Sequence, residues 1–198
     1  RDSWPLIFTG VFISIYMRID QVMIKYVMGN TAVGYYAVAV RLCEAGYFIP
    51  MVIVTSVFPA IVNARKENLV LYHQRLQNLY DLMTWLAIAV AIPMSFLGKD
   101  LLRLLFGVQY LESYGVLALY VWTSLFVFQG VARSRWIVAE NLQIYGFWFS
   151  FCSAMSNIIL NLVLIPFLGL MGAAVATILS QCATVIIFPQ KKKKTRES

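Results

Sequence analysis

The stretch Ile15–Lys25, IYMRIDQVMIK, decides the fold because it places three charges inside an otherwise apolar segment. Residues 4–17 carry no charge, and Arg18, Asp20 and Lys25 then follow within a few positions. A soluble helix spreads its charges along one face, whereas a simple membrane anchor keeps them out of the bilayer. The stretch therefore predicts a membrane-spanning helix whose charged side chains meet partners or a water-filled cavity.

The composition of the whole chain indicates a membrane protein. Of its 198 residues, 61% are hydrophobic and 13% are charged, and the mean hydropathy is +0.74. Soluble domains are about half apolar and about a quarter charged, so this chain departs from them on both counts. Nothing in the sequence resembles a cleaved signal peptide.

Six apolar segments are long enough to cross a bilayer as helices, which takes roughly 20 residues each. They are residues 4–28, 33–62, 76–98, 113–137, 142–168 and 171–189. The segments lack the alternating pattern of a membrane β-barrel. We therefore predict an all-α integral membrane protein in which residues 1–190 form one six-helix lobe. Residues 191–198, KKKKTRES, form a polybasic cytoplasmic tail that suits anionic lipid headgroups, although a plain solvated tail explains it equally well.

The positions of the lysines and arginines predict the orientation of the chain. Eleven fall on the side that holds both ends of the chain: Arg1, Arg65, Lys66, Arg75, Arg133, Arg135, Lys191, Lys192, Lys193, Lys194 and Arg196. Lys25, Lys99 and Arg103 fall on the other side, while Arg18 and Arg41 lie at membrane depth. Because basic residues concentrate in cytoplasmic connections, both ends are predicted to face the cytoplasm.

The first two segments carry opposite charges at matching depths. The second segment contains Arg41 and Glu44. Counted from a turn centred near Thr31, Asp20 lies eleven residues before the turn and Arg41 ten after it. In an antiparallel hairpin that rises about 1.5 Å per residue, Asp20 and Arg41 are therefore predicted to pair. Arg18 and Glu44 form the second matched level.

Two interpretations of these charges stay open. They could form a polar clamp that only fixes the hairpin, or they could line a net-positive, water-filled cavity. The number of charged groups favours the cavity, because each costs free energy to insert. The candidate cavity residues are Arg18, Asp20, Lys25, Arg41, Glu44, Arg133 and Arg135.

Uncharged polar and small residues mark the last two segments. Ser153, Asn157 and Asn161 recur at helical spacing, and we interpret them as bonding neighbouring helices rather than lining a lumen. The sixth segment begins GLMGAAVAT, whose small residues permit close helix packing, with a hinge at Gly169 and Gly172.

Two connections have more than one interpretation. Apolar residues recur at helical spacing over residues 69–80, which predicts an amphipathic helix on the cytoplasmic surface. Residues 99–107, KDLLRLLFG, suggest a shorter interfacial turn on the opposite side. The alternative is that each stretch simply extends a spanning helix.

No motif for catalysis, a metal or a cofactor stands out. The single histidine, His73, has no nucleophile near it in sequence, and Cys43, Cys152 and Cys182 lack metal-ligand spacing. There is no phosphate-binding glycine loop. The aromatic residues do not interleave with basic ones as nucleic-acid binding requires. We therefore predict no enzyme, no cofactor, no metal and no nucleic-acid partner.

Four stretches resemble one known family. They are IYMRIDQVMIKYVMGNTAVGYYAVAVRLCE (15–44), FPAIVNAR (58–65), LLRLLFGVQYLES (101–113) and NLVLIPFLGLMGAAVAT (161–177). In this order they are similar to bacterial polysaccharide-unit flippases, the O-antigen (Wzx-type) branch of the multidrug/oligosaccharidyl-lipid/polysaccharide exporters. Drug/cation antiporters share the last stretch, whereas the Arg-Ile-Asp and Arg-Leu-x-Glu motifs point to the polysaccharide branch.

The resemblance implies a MATE-like transporter of twelve helices in two lobes. This chain would be the C-terminal lobe, and its partner would be an N-terminal six-helix lobe that this sequence lacks. The implied activity moves undecaprenyl-pyrophosphate-linked oligosaccharide units across the bacterial inner membrane for lipopolysaccharide O-antigen or other surface polysaccharide. The implied partners are this lipid-linked oligosaccharide and membrane lipids. Arginine suits a pyrophosphate, and Asp20 and Glu44 are candidates for coupling to a cation or proton.

Three other functions stay open. A drug/cation antiporter lobe would bind amphipathic cations and favour buried acids over arginines. A membrane enzyme of glycan assembly would need a large loop carrying catalytic groups, and the connections here are short. A half-transporter that does not transport would have only a structural or partner-binding role.

Overall fold

A computed structural model describes residues 4–187, and the regular structure in that range is entirely helical. The helices are α1 (Trp4–Met28), α2 (Asn30–Glu44), α3 (Phe48–Glu67), α4 (Leu69–Phe106), α5 (Ser113–Tyr120), α6 (Ser124–Ala139) and α7 (Gln143–Ile187). Short 3-10 turns at Val108–Tyr110 and Val121–Thr123 precede α5 and α6. The predicted all-α membrane fold is confirmed. Arg1, the end of the sixth predicted span at 188–189 and the polybasic tail lie outside the described residues.

Within the described part of the chain, five helical stretches are long and apolar enough to cross a membrane. They are Ile7–Met28, Asn30–Glu67, Leu69–Phe106, Ser113–Ala139 and Gln143–Ala183. Large apolar side chains on them face outward, such as Trp85, which is 70% exposed, and Phe167, which is 83% exposed. An apolar surface of this kind suits contact with lipid tails, so the chain is a multi-pass membrane protein.

The element α7 consists of two helical arms that form a hairpin. The backbone leaves helical geometry between them at Gly169, with φ 58° and ψ −136°. The Asn157 amide lies 3.3 Å from the Thr177 hydroxyl, whereas a straight helix would separate these residues by about 30 Å. A Cβ on Gly172 would lie 2.3 Å from the Leu164 carbonyl oxygen, so only glycine lets the two arms approach this closely. The arms, residues 143–168 and 170–187, overlap the fifth predicted span and the described part of the sixth. That all six cross a membrane stays a prediction.

Three turns with glycine at positive φ lie at one end of the molecule, here named the glycine end. Gly29 has φ 86° and Gly107 has φ 90°, values that side chains other than glycine rarely adopt. The Gly169 turn contacts the Met28 side chain, and the Tyr35 ring contacts the Tyr110 ring. These contacts bring the three reversals together.

The opposite end, here named the asparagine end, uses asparagine in its turns. Asn68 caps α4 by accepting a hydrogen bond from the backbone N–H of Val70 at 2.8 Å. Asn141 follows α6 with φ 56°. An ion pair of 3.0 Å between Arg65 and Glu140 joins the ends of α3 and α6. The chain therefore alternates between the two ends at its turns.

The buried apolar residues form two clusters stacked between these ends. The cluster nearer the glycine end draws on α1, α2, α4, α5 and α7, and includes Ile24, Tyr36, Leu102, Leu117 and Ile165. The cluster nearer the asparagine end draws on α3, α4 and α6, and includes Val54, Tyr72, Leu79, Met83 and Phe128. The bundle is therefore held by helix packing along its length.

The second predicted span is broken in its interior. Between α2 and α3 the backbone forms a tight turn in which Gly46 N–H bonds Cys43 and Tyr47 N–H bonds Glu44. By contrast, α4 is continuous over 38 residues, about 57 Å, although Pro93 lies inside it. Both stretches with open interpretations, 69–80 and most of 99–107, therefore extend a spanning helix; the separate surface helix and interfacial turn were wrong.

Candidate functional site

The carboxylate of Asp20 lies at the centre of a buried polar cluster. Only 2% of Asp20 is exposed, and it accepts hydrogen bonds from three side chains on other parts of the chain. Tyr36 on α2 donates at 2.8 Å and Asn161 on the first arm of α7 donates at 2.5 Å. Thr177 on the second arm donates at 2.8 Å. Asp20 therefore ties α1 to α2 and to both arms of α7.

A second layer of bonds orients these donors. Asn161 uses its other N–H to bond Asn157, one helical turn away, at 3.1 Å. Asn157 in turn donates to the Thr177 hydroxyl at 3.3 Å. The Thr177 hydroxyl has one proton, and the Asp20 carboxylate at 2.8 Å is a nearer acceptor for it than the Ala173 carbonyl at 3.0 Å. Asn157 and Asn161 thus bond neighbouring segments, which supports their structural interpretation.

Local sequence explains why the cluster can form so deep in the bundle. Asn157 and Asn161 are four residues apart and therefore lie on one face of their helix. On the opposite arm Ala173, Ala174 and Thr177 are buried and small, so the two arms and α1 pack closely.

All three donors to Asp20 are neutral. The ion pairs within residues 4–187 are Arg18–Glu44 and Arg65–Glu140, so none involves Asp20. In addition, the carbonyl oxygen of the Asn161 side chain is buried without a donor. A charged carboxylate in apolar surroundings is costly unless a proton or a cation balances it. The cluster offers carboxylate, amide, hydroxyl and backbone oxygens, which suit a hard cation, while the carboxylate alone can take a proton.

The predicted pair Asp20–Arg41 is wrong. Tyr36, rather than Arg41, is the α2 residue that bonds Asp20, and Arg41 is exposed. The helices turn at Gly29 rather than near Thr31, which shifts the matching level on α2 toward the turn. Residue counting also gives the depth of a side chain but not its direction around the helix axis. The displaced turn and the unknown direction together explain the error.

The other predicted pair is close to contact. Arg18 Nη2 lies 3.9 Å from a Glu44 carboxylate oxygen, and the Arg18 side chain is 59% exposed. The second Glu44 oxygen is buried without a hydrogen-bond donor. Glu44 is also the last residue of α2 before the break, at a point where the backbone geometry changes.

Arg18 lies in a shallow groove of about 670 Å³ along the outer face of α1. The groove is lined by Ile7, Gly10, Val11, Ser14, Ile15, Arg18, Ile19 and Val22. These positions form one helical stripe, so α1 presents an apolar face with a single cation on it. Lys25 and Arg41 are also exposed. Arg18, Lys25 and Arg41 therefore give the outer surface of α1 and α2 a positive character.

Arg133 and Arg135 lie nearer the asparagine end. The Arg133 guanidinium lies over the Phe149 ring, 4.8 Å from its centroid, and Arg135 is exposed. Phe12 packs on Phe147 and Phe151, which sets the level of this region along α1. Arg18 is six residues further along α1, about 9 Å. The structure thus places these arginines at a different level from Arg18.

Glu140 organises a contact that the sequence did not suggest. It accepts a hydrogen bond of 2.7 Å from Tyr72 and pairs with Arg65 at 3.0 Å. Arg75 donates to the Ala60 carbonyl at 3.0 Å. These contacts fasten α3, α4 and α6 together at the asparagine end.

Sequence reasoning found Asp20 and singled out Asn161 as a residue that bonds a neighbouring helix, but it assigned none of the three observed partners to Asp20. Tyr36 and Thr177 were missed, because a tyrosine near a turn and a threonine in a small-residue stripe are both common packing residues. The usable signal was that the two residues lie at similar depths. Tyr36 comes seven residues after Gly29, and Asp20 comes nine residues before it.

Comparisons with known proteins show what the chain is similar to. Residues 1–65 match the model of a family described as "Polysaccharide biosynthesis protein". The chain is 31% identical to the probable flippase AglR of Haloferax volcanii over 171 residues, which is 83% of the chain and 35% of that relative. It is 23% identical to the capsular polysaccharide biosynthesis protein CapF of Staphylococcus aureus over 185 residues, 93% of the chain and 47% of that relative.

The chain therefore spans about a third and about half of the lengths of these two relatives. No solved structure matches it significantly. The matches confirm the resemblance to polysaccharide flippases that the sequence motifs indicated.

Proposed function

We propose that this chain, a relative of polysaccharide flippases, is the C-terminal six-helix lobe of a transporter that moves a lipid-linked oligosaccharide across the bacterial inner membrane. The proposal rests on one observation: α1 and α2 carry exposed basic groups, and α1 also carries the buried carboxylate of Asp20. In this view the protein transports its substrate and performs no catalysis.

The exposed face of α1 suits the head group of such a substrate. A pyrophosphate and a glycan cannot cross hydrocarbon unaided, because their polar groups would lose their hydration. Arg18 offers paired N–H donors that match phosphate oxygens, and Lys25 and Arg41 add positive potential. Gly10 leaves the groove open beside this face. We propose that an N-terminal lobe closes the cavity from the other side.

The positions of the basic residues support an orientation for the bundle. Arg65, Lys66, Arg75, Arg133 and Arg135 belong to the part of the bundle nearer the asparagine end, where the Arg65–Glu140 contact lies. Because basic residues concentrate on the cytoplasmic side, we propose that this end and both chain ends face the cytoplasm. The glycine end then faces the periplasm.

Asp20 is the proposed coupling residue. Its neutral partners leave its charge to be balanced by a bound proton or cation, and its bonds reach both arms of α7. Loading or unloading of Asp20 would then change how α1 packs on α7. Glu44, with one buried oxygen lacking a donor, is the second candidate.

The substrate role is tested in the complete protein by measuring surface polysaccharide. Arg18→Ala is expected to reduce it strongly at normal protein levels, and Arg18→Lys to restore it partly, because an ammonium keeps the charge but not the paired donors. Arg103→Ala is the matched control, since Arg103 is an exposed arginine at the glycine end and away from the α1 groove. Normal amounts of surface polysaccharide in Arg18→Ala would mean that these charges form only a polar clamp that fixes the α1–α2 hairpin.

The coupling role is tested with the complete protein in proteoliposomes that contain a lipid-linked oligosaccharide. Flipping is measured under an imposed sodium gradient or an imposed proton gradient. Asp20→Asn keeps the size of the side chain and is expected to abolish the acceleration by the effective gradient. Acceleration that persists in Asp20→Asn would move the coupling role to another residue.

A further inference from the structure

A second, separate cleft opens at the glycine end of the bundle. It has a volume of about 440 Å³ and lies between the first turn of α2 and the 3-10 turn that follows α4. Its lining residues are Asn30, Thr31, Gly34, Tyr35, Gln109 and Tyr110. Pockets for small ligands have volumes of roughly 300–1,000 Å³, so the cleft has room for a small polar molecule.

Two glycine turns create the cleft. Gly29 and Gly107, both at positive φ, end α1 and α4 and direct the following segments side by side. The Tyr35 and Tyr110 rings then meet edge to face, with centroids 6.1 Å apart and an interplanar angle of 83°. Phe106 also packs on Tyr110, with their ring centroids 6.1 Å apart. The aromatic wall is therefore held by packing within the protein.

Gly34 leaves its part of the cleft wall open. A Cβ added at Gly34 would meet no atom within 4 Å, although the residue is in the regular helix α2. Glycine lowers helix stability relative to alanine by roughly 0.5–1 kcal/mol, so the helix itself gains nothing from it. Its effect here is to leave empty the space that a side chain at this lining position would occupy.

The chemistry of the lining favours a neutral ligand. None of the six lining residues is charged, although Lys25, Lys99 and Arg103 belong to segments at this end of the bundle. The lining instead offers two aromatic rings together with amide and hydroxyl groups that both donate and accept hydrogen bonds. A pyranose has apolar C–H faces that pack on aromatic rings and a rim of hydroxyls that needs such groups.

We propose that this cleft binds a neutral pyranose residue of the transported glycan. The inference rests on the proposed function for its biological substrate, while the binding itself does not depend on transport. Arg18 is eleven residues before Gly29, about 17 Å along α1, so the cleft lies well away from the phosphate-binding level. A glycan of several sugars could therefore reach the cleft while the pyrophosphate that carries it lies at Arg18.

The binding is tested by saturation-transfer NMR on the complete protein in lipid nanodiscs. The probes are five free neutral sugars: glucose, galactose, rhamnose, N-acetylglucosamine and N-acetylgalactosamine. We expect transfer to at least one of them in the unmodified protein. Gly34→Trp, which fills the cleft, is expected to abolish it. Tyr110→Ala is expected to weaken it by roughly 2- to 10-fold, the value of one aromatic contact.

Two controls separate this proposal from the others. Gly130→Trp also places a large side chain at a helical glycine with open space around it, and is expected to keep the binding. Asp20→Asn is expected to keep the binding even where flipping is lost, which distinguishes failure of transport from failure of the cleft. Absence of transfer to all five sugars would overturn the proposal, as would equal transfer in Gly34→Trp and the unmodified protein.

Discussion

The Tyr36 hydroxyl donates a hydrogen bond of 2.8 Å to Oδ2 of Asp20, and it occupies the level of the hairpin at which an arginine was expected. A neutral donor in this position changes the role of the carboxylate. An arginine would neutralise Asp20 permanently, whereas tyrosine, asparagine and threonine orient it and leave its charge to be balanced from outside. A residue that binds and releases a proton or cation needs the second arrangement.

The first prediction concerns the stability that the Asp20 cluster provides. Asn161→Ala removes the hydrogen bonds to Asp20 and Asn157, so the free energy of unfolding should fall by about 1.5–3 kcal/mol, the value of a bond to a charged group. The measurement is denaturant unfolding of the complete protein in detergent. Thr55→Ala is the control, because that exposed hydroxyl bonds only the Met51 carbonyl of its own helix. Equal effects of the two substitutions would contradict a stabilising role.

The second prediction concerns the α7 hairpin. Gly172→Ala should destabilise the protein by about 1–3 kcal/mol, because the new Cβ would collide with the Leu164 backbone and the two arms would have to separate. Gly130→Ala serves as the matched control, since a Cβ there meets nothing within 4 Å and alanine favours a helix. Unfolding of both variants is followed under the same conditions. Unchanged stability of Gly172→Ala would mean that the arms are not so closely packed.

The third prediction concerns the asparagine end. The coupling energy between Arg65 and Glu140, from a double-mutant cycle with Arg65→Ala and Glu140→Ala, should be about 0.2–1 kcal/mol, because the Arg65 side chain is 44% exposed. It should decrease with added salt. The coupling between Tyr72 and Glu140, measured with Tyr72→Phe, should depend less on salt because only one partner is charged. A salt-independent Arg65–Glu140 coupling would indicate a more buried pair.

The fourth prediction concerns topology. In the complete protein with Cys43, Cys152 and Cys182 replaced by alanine, single cysteines are placed at Asn30 and at Asn141. A membrane-impermeant thiol reagent added to intact cells should label the first and spare the second. After the membrane is opened, both should react. Labelling of Asn141→Cys alone from outside would reverse the proposed orientation.

Most of the helical architecture could be predicted from the sequence, because apolar length alone identifies a spanning helix. The turn predicted near Thr31 likewise lay within two residues of the observed reversal at Gly29. The break at Gly46 could not be predicted, since the apolar run continues through it and the turn depends on backbone bonds of Cys43 and Glu44. The continuity of α4 was equally hidden, because an amphipathic stretch has the same pattern on a surface and at the end of a long helix.

The charged residues of the candidate site and the Arg18–Glu44 level could be predicted, whereas the contacts of Asp20 could not. Asp20 and Arg18 are conspicuous because charges are rare in apolar segments. Which of them turns inward depends on rotation about the helix axis, and that is set by the fit of α1 against both arms of α7. The small residues around Thr177 provide that fit, and their individual positions carry no signal beyond close packing.

The length of α4 has a mechanical consequence. The helix extends over about 57 Å, nearly twice the roughly 30 Å thickness of a bilayer's hydrocarbon core. Part of it therefore extends beyond the hydrocarbon. Pro93 cannot bond the carbonyl of Ala89, which provides a natural pivot within the helix. From this pivot to Leu69 the arm measures about 36 Å, so a tilt of about 10° moves its tip by about 6 Å. A small change in helix tilt at the pivot thus produces a larger displacement at the far end of α4, where Tyr72 bonds Glu140.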